Sequence, residues 1–166
     1  MPRSRRCELV RGEIVDVSPA GFRHGAIAGA LARLIGAHVF DRGLGIYAVA
    51  EAGFWIERNP DTVRAPDGAF VRAERVRAFG DQPGYFDGAP DLALEVLSPT
   101  DRRSAAVAKC RAWVAAGAAM AVLFDPDRRT ATVFTATGES ELDERATLHF
   151  DPVLPGLALP LAELFA

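Results

Sequence analysis

Residues 91–113, DLALEVLSPTDRRSAAVAKCRAW, carry the pattern that decides the fold. From Leu92 to Leu97 every position is apolar except Glu95. Apolar residues at consecutive positions fill both faces of a strand, as in a sheet covered on both sides. Ser98, Thr100 and Asp101 are cap residue types and Pro99 suits a first helical turn, so a helix is expected to about Ala116, closed by Gly117. A strand–helix connection this short folds the helix back over its own sheet.

The flanking segments extend the reading. AMAVLFDP (119–126) is a second apolar strand, Arg128-Arg129 turns it, and TATVFTA (130–136) is its hairpin partner. The tail holds a short strand and a Pro-punctuated closing segment. Upstream, ELVRGEIVDV (8–17) reads as a hairpin around Arg11-Gly12. His24 to Ala37 puts Ile27, Leu31, Leu34 and Ile35 on one helical face. Residues 46–57 read as a strand bulged at Gly53, and 62–72 as extended chain with Pro66 at an edge or start. Residues 73–89 are the most loop-like segment. The order is β-hairpin, α, β, β, β, α, β, β, which predicts an α/β fold in one domain over residues 1–166.

Composition excludes some functions. The net charge is −3, which gives no bulk electrostatic help towards nucleic acid, although a local basic groove remains compatible with it. Cys7 and Cys110, the only cysteines, are too far apart in pattern for a redox or metal pair, and are expected as an exposed thiol and a small buried residue. No apolar run reaches membrane-spanning length, and no hydrophobic leader follows MPRSRRCELV, so the cytoplasm is the expected location.

The chain has one lysine, Lys109, against eighteen arginines. Arg and Lys diverge where a compact point charge is needed. The helical neighbours Ala105, Ala112 and Trp113 place Lys109 on an apolar stripe, from which its stem can bring the ammonium towards Glu95. A snorkelling lysine would look the same. Glu95 itself is either satisfied by an arginine or a metal ligand where its strand leaves the core, because burying it unpaired costs several kcal/mol. Asp67 follows Pro66 at the start of another apolar strand, where a plain turn residue is the simpler account.

Taken together, two carboxylates and an ammonium suit phosphodiester hydrolysis. Hard oxygen ligands from Asp67 and Glu95, with the main-chain carbonyl of Val96 as a third, select Mg²⁺ or Mn²⁺. The metal would lower the pKa of a bound water, and Lys109 would orient that water or stabilise developing charge.

Four stretches, RAPDGAFV (64–71), PDLALEVLSPTD (90–101), Lys109 with an aromatic four residues on, and AGAAMAVLFDP (116–126), resemble the restriction-endonuclease-like proteins abundant in cyanobacteria. These belong to the PD-(D/E)XK nuclease superfamily. ELVRGEIV, SPAGFRHG and LPGL extend the likeness over nearly the whole chain. It implies a central mixed sheet flanked by helices, divalent-metal-dependent cleavage of nucleic acid, and a homodimer. Asp67 matches the acid of the Pro-Asp pair and Glu95 the second acid. Leu97 stands where the motif expects lysine, and the lysine on the next helix is Lys109. Ala105 and Trp113 depart from the Asp and Tyr that the family often shows there.

The expected function is therefore a Mg²⁺- or Mn²⁺-dependent endonuclease acting on DNA, or on RNA. The alternative is a non-catalytic dimer on a nuclease scaffold that binds nucleic acid or protein. A Schiff-base enzyme using Lys109 is a third class. His24 opens its helix after a Gly/Pro turn, where a cap or solvated residue is commoner than a general base or phosphate contact. Glu13 is expected exposed, and Glu51 is a further acid ranked below Glu95. Arg3, Arg5 and Arg6 form a basic arm. Arg72, Arg75 and Arg77 either line a DNA groove or solubilise a loop. Trp55 and Trp113 are expected in the core rather than as base-stacking platforms.

Overall fold

The Arg11-Gly12 signal makes a hairpin in the computed structural model, which describes residues 6–166. Strand β1 (Cys7–Val10) pairs antiparallel with β2 (Glu13–Asp16), and the turn has φ of 50° at Arg11 and 81° at Gly12. Positive φ at both central residues is the type I′ geometry whose twist matches the strands. Helix α1 (Phe22–Asp41) runs longer than the periodicity alone predicted and buries Ile27, Leu31, Ile35 and Val39 on one stripe.

Two segments expected as continuous extended chain each break and change sheet. Residues 46–57 divide into β3 (Gly45–Val49) and β4 (Phe54–Glu57), with Glu51 at φ 81° between them. Residues 62–72 divide into β5 (Thr62–Arg64) and β6 (Gly68–Arg72), with Ala65-Pro66-Asp67 between them. Pro66 has no N–H to give a ladder, which suits a point where pairing ends. The loop-like segment contains a short helix, α2 (Ala73–Phe79), and the short strand β7 (Phe86–Asp87).

Strand β8 (Leu92–Val96), helix α3 (Arg103–Ala115) and strand β9 (Met120–Asp125) form the expected strand–helix–strand unit, and β8 and β9 are parallel. The cap differs from expectation. Arg102 stands at the N-cap with no side-chain bond, while Asp101 accepts the Ser98 N–H at 2.9 Å. Strands β10 (Thr130–Thr135) and β11 (Gly138–Leu142) complete a meander, and β12 (Thr147–His149), β13 (Ala158–Pro160) and α4 (Leu161–Leu164) close the chain.

The main sheet is mixed, in the order β11-β10-β9-β8-β6-β3, and the second runs β2-β1-β5-β4-β7. Side-chain alternation assigns the two faces of the main sheet. Phe70, Leu92, Leu94, Val122 and Phe124 pack on the α1 side. Ala69, Val71, Ala93 and Leu123 pack with Cys110 and Trp113 of α3. Glu95 has the parity of Ala93, so its carboxylate falls on the α3 face.

Candidate active site

The chain leaves the second sheet at Arg64 and enters the main sheet at Gly68, so Asp67 lies where the two meet. Its N–H donates to the Leu94 carbonyl at 2.9 Å, and its Oδ2 accepts the Val96 N–H at 2.8 Å. Both bonds seat it at the end of β8. A Cβ at Gly68 beside it would come within 2.1 Å of the Tyr47 hydroxyl, so any larger residue there would displace that ring. Asp67 Oδ1 lies 3.2 Å from His24 Nε2, and His24 Nδ1 lies 3.1 Å from Ser98 Oγ. His24 is therefore neither a cap nor a solvated residue. It is an enclosed partner of the first acid, delivered by the first turn of α1.

Lys109 points across the top of β8. Its Nζ lies 3.1 Å from both oxygens of Glu95, and Trp113, one turn further along α3, donates its indole N–H to Glu95 Oε1 at 2.8 Å. Glu95 is thus held by an ammonium and an indole rather than by an arginine. Two more acceptors take the ammonium: Ala65 O at 2.9 Å and Glu8 Oε1 at 2.8 Å. Glu8 Oε1 also accepts the Ala65 N–H at 3.2 Å. The sequence did not single Glu8 out. Its only signal was an acid at the start of a hairpin strand, and its importance follows from the β1–β5 pairing, which is non-local.

The electrostatics follow from burial and charge count. Burial pushes the Glu95 carboxyl up to about 7, although Lys109 beside it acts in the opposite direction. Burial would lower the Lys109 ammonium, yet the charges of Glu95 and Glu8 outweigh it and hold its pKa above the ordinary lysine value. One cation shared between acids is over-compensated, while each acid is under-compensated, so both members of the pair move upward. Asp67 stays below the usual carboxylate range: burial opposes ionisation, but hydrogen bonds from His24 and the Val96 N–H prevail. His24 is raised, first by its bond to Asp67. Burial raises Cys110, which is an inert core thiol.

Glu8, His24, Asp67, Glu95 and Lys109 line one open cleft of about 990 Å³, walled by the N-terminal hairpin, the β2–α1 loop and the start of α3. Among its charged lining residues, the acids Glu8, Asp16, Glu51, Asp67, Glu95 and Asp101 outnumber Arg6, Arg64, Arg102 and Lys109. Ala105 lies in this wall, and Leu97, at the motif's lysine position, packs into the apolar cluster under α3.

The family model described as "Uma2: Putative restriction endonuclease" matches residues 1–162. The chain belongs to the Uma2 family. Its fold is similar to that of a crystal structure titled as a putative nuclease belonging to DUF820, from Anabaena variabilis ATCC 29413, with a TM-score of 0.87 and 22% identity over 99% of this chain and 93% of that one. No curated protein matches it. The restriction-endonuclease-like architecture of a mixed sheet flanked by helices, with an N-terminal hairpin, thus holds for this Uma2 protein.

A divalent cation fits the donors in kind. Asp67, Glu95 and the Val96 carbonyl offer hard oxygens, and Mg²⁺ is commonly held by one or two carboxylates with waters completing its shell. Among the described residues no group of three or more His, Cys, Asp or Glu forms a ready-made cage. The Asp67 and Glu95 oxygens all have protein partners already, so a cation would share them rather than find them bare.

Other expectations fall elsewhere. Arg72 Nε and Arg75 Nη1 lie 3.5 and 3.0 Å from Asp91, so these two arginines serve a buried acid and do not line the cleft. Arg77 lies in α2. Glu51 is exposed and weakly paired with Arg6 at 3.9 Å, and Glu13 is exposed. Arg3 and Arg5 lie outside the described residues. Trp113 is fully buried and Trp55 partly, with Arg58 stacked 3.4 Å over the Trp55 ring. No helix among the described residues is long and apolar enough to cross a membrane.

Proposed function

We propose that this protein is a divalent-metal-dependent nuclease that hydrolyses phosphodiester bonds of DNA in the cytoplasm, with Mg²⁺ or Mn²⁺ and as a homodimer. The observation that carries the reading is the convergence of Lys109 on Glu95 at the end of β8, beside Asp67, in an open cleft. Asp67, Glu95 and the Val96 carbonyl would hold the cation, which when bound supplies a Lewis acid and an activated water. Glu95 binds it only as the carboxylate, so its proton must leave. His24 stands against Asp67 Oδ1 and controls how much negative charge that acid presents. Lys109 holds Glu95 in place and supplies fixed positive charge where the phosphate gains negative charge. The acidic lining makes a cation necessary before a polyanion can approach.

Supercoiled, linear and single-stranded DNA and RNA, incubated with the protein and Mg²⁺ or Mn²⁺, test this. Cleavage of DNA that disappears in Asp67→Asn is expected. Failure to cut any form under either metal overturns it.

A second reading, a non-catalytic binding dimer, is favoured by one observation: the Glu95 oxygens and the Lys109 ammonium are already satisfied within the protein. Calorimetry separates the two, since the nuclease should bind Mn²⁺ measurably and lose that binding in Asp67→Asn.

A further inference from the structure

A lysine ammonium has three N–H bonds. Those of Lys109 are committed to Glu95, Ala65 O and Glu8. None remains for a water or a phosphate oxygen, so one acceptor must leave if the ammonium is to touch the reacting group. Ala65 O is main chain at the crossing between sheets, and Glu95 is fixed by Trp113 on a buried strand. Glu8 is the one acceptor with somewhere else to go. Its Oε2 lies 3.9 Å from Arg64 Nε, and that buried Nε has no hydrogen-bond partner among the described residues. A movement of about 1 Å would bring the pair to ordinary hydrogen-bond distance.

We propose that Glu8 and Arg64 are positioning residues for Lys109: Glu8 passes from Lys109 to the waiting Arg64 Nε–H when substrate enters, and thereby frees one ammonium N–H for the scissile phosphate. The handover conserves charge, since one carboxylate exchanges one cationic partner for another. It also satisfies a donor whose burial without a partner is costly. Glu8 and Arg64 sit on the paired strands β1 and β5, so the exchange needs side-chain rotation alone. The inference rests on the nuclease reading for its purpose, but not for its test.

Lys109 is the only lysine, so ε-amine modification by trinitrobenzenesulfonate, read by peptide mass, reports on it alone. Glu8→Gln and Glu8→Asp each weaken the hold and should label several-fold faster than the native protein. Arg64→Gln removes the competing seat, leaves Glu8 fixed on the ammonium, and should label more slowly. Glu8→Gln/Arg64→Gln should follow Glu8→Gln. If Arg64 merely supported the strand, its loss would loosen the site and speed labelling. Equal or faster labelling of Arg64→Gln overturns the handover, as does a double variant as slow as Arg64→Gln. In DNA cleavage, Arg64→Gln should lower kcat at least tenfold with KM little changed, and the added Glu8→Gln should restore most of the loss. An additive further fall overturns the proposal. A native protein that cuts nothing removes the nuclease reading, and the labelling order still decides the handover.

Discussion

Trp113 donates its indole N–H to Glu95 Oε1 over 2.8 Å, from the same helix and one turn beyond Lys109. A helix residue and its i+4 neighbour thus grip one buried carboxylate from two directions. Replacing Trp113 by Phe removes a hydrogen bond to a charged group and leaves a buried acceptor short of a donor. The expected loss is about 2 kcal/mol or more, since the smaller ring also underfills the core. A urea midpoint unchanged from the native protein would show that the indole contributes nothing to holding the acid.

Lys109→Met leaves Glu95 without a cation, while Glu8 keeps Arg64 within reach. Breaking a buried pair from one side costs about 3–5 kcal/mol. The loss should be greater at pH 8 than at pH 5, because protonation relieves the unpaired Glu95. Lys109→Arg should not restore cleavage, as a planar fork cannot reproduce four acceptors gathered round one nitrogen. Thermal melts at the two pH values, with cleavage assays beside them, check both statements.

Glu95 titrates at about 7 in the folded protein against an ordinary 4.5. Between those values the native state holds more protons than the unfolded chain, so this group's contribution to stability falls as pH rises through that window. Mn²⁺ binding runs the other way. It requires the Glu95 proton to leave, and the charge on His24, itself raised, opposes a cation beside Asp67. Calorimetry should find Mn²⁺ affinity at least tenfold tighter at pH 8 than at pH 6, with protons released on binding. A flat profile would remove Glu95 from the ligand set.

Asp91 is the control. It is buried, accepts the Arg72 N–H at 2.9 Å and Arg75 Nη1 at 3.0 Å, and is absent from the cleft wall. Asp91→Asn should cost about 2 kcal/mol through weakened charge-assisted bonds. It should leave Mn²⁺ affinity unchanged, and a shift there would mean that the arginine cluster couples to the site.

What could be read from the sequence was local. The apolar run around Glu95, the hairpin at Arg11-Gly12 and the stripe from Ile27 to Ile35 each follow from spacing within one element, and the likeness to nucleases placed Asp67 beside Glu95. What escaped was set by chain crossings. Nothing within residues 46–57 or 62–72 says that each segment divides between two sheets, because either half alone is a good strand. Glu8 reaches Lys109 only through the pairing of β1 with β5, a contact between residues far apart in the chain. The partners of His24 escaped for the same reason. Its value lies in Asp67 and Ser98, not in its own helix turn.

The three residues Ala65-Pro66-Asp67 join two sheets, and charged groups of the cleft stand on both sides of that join. Glu8 comes from one layer, Glu95 and Lys109 from the other, and Asp67 from the seam itself. A small shear between the layers would part Glu8 from the ammonium while leaving each layer folded. A change in that contact need not show as a change in shape, since both layers can stay folded while they slip.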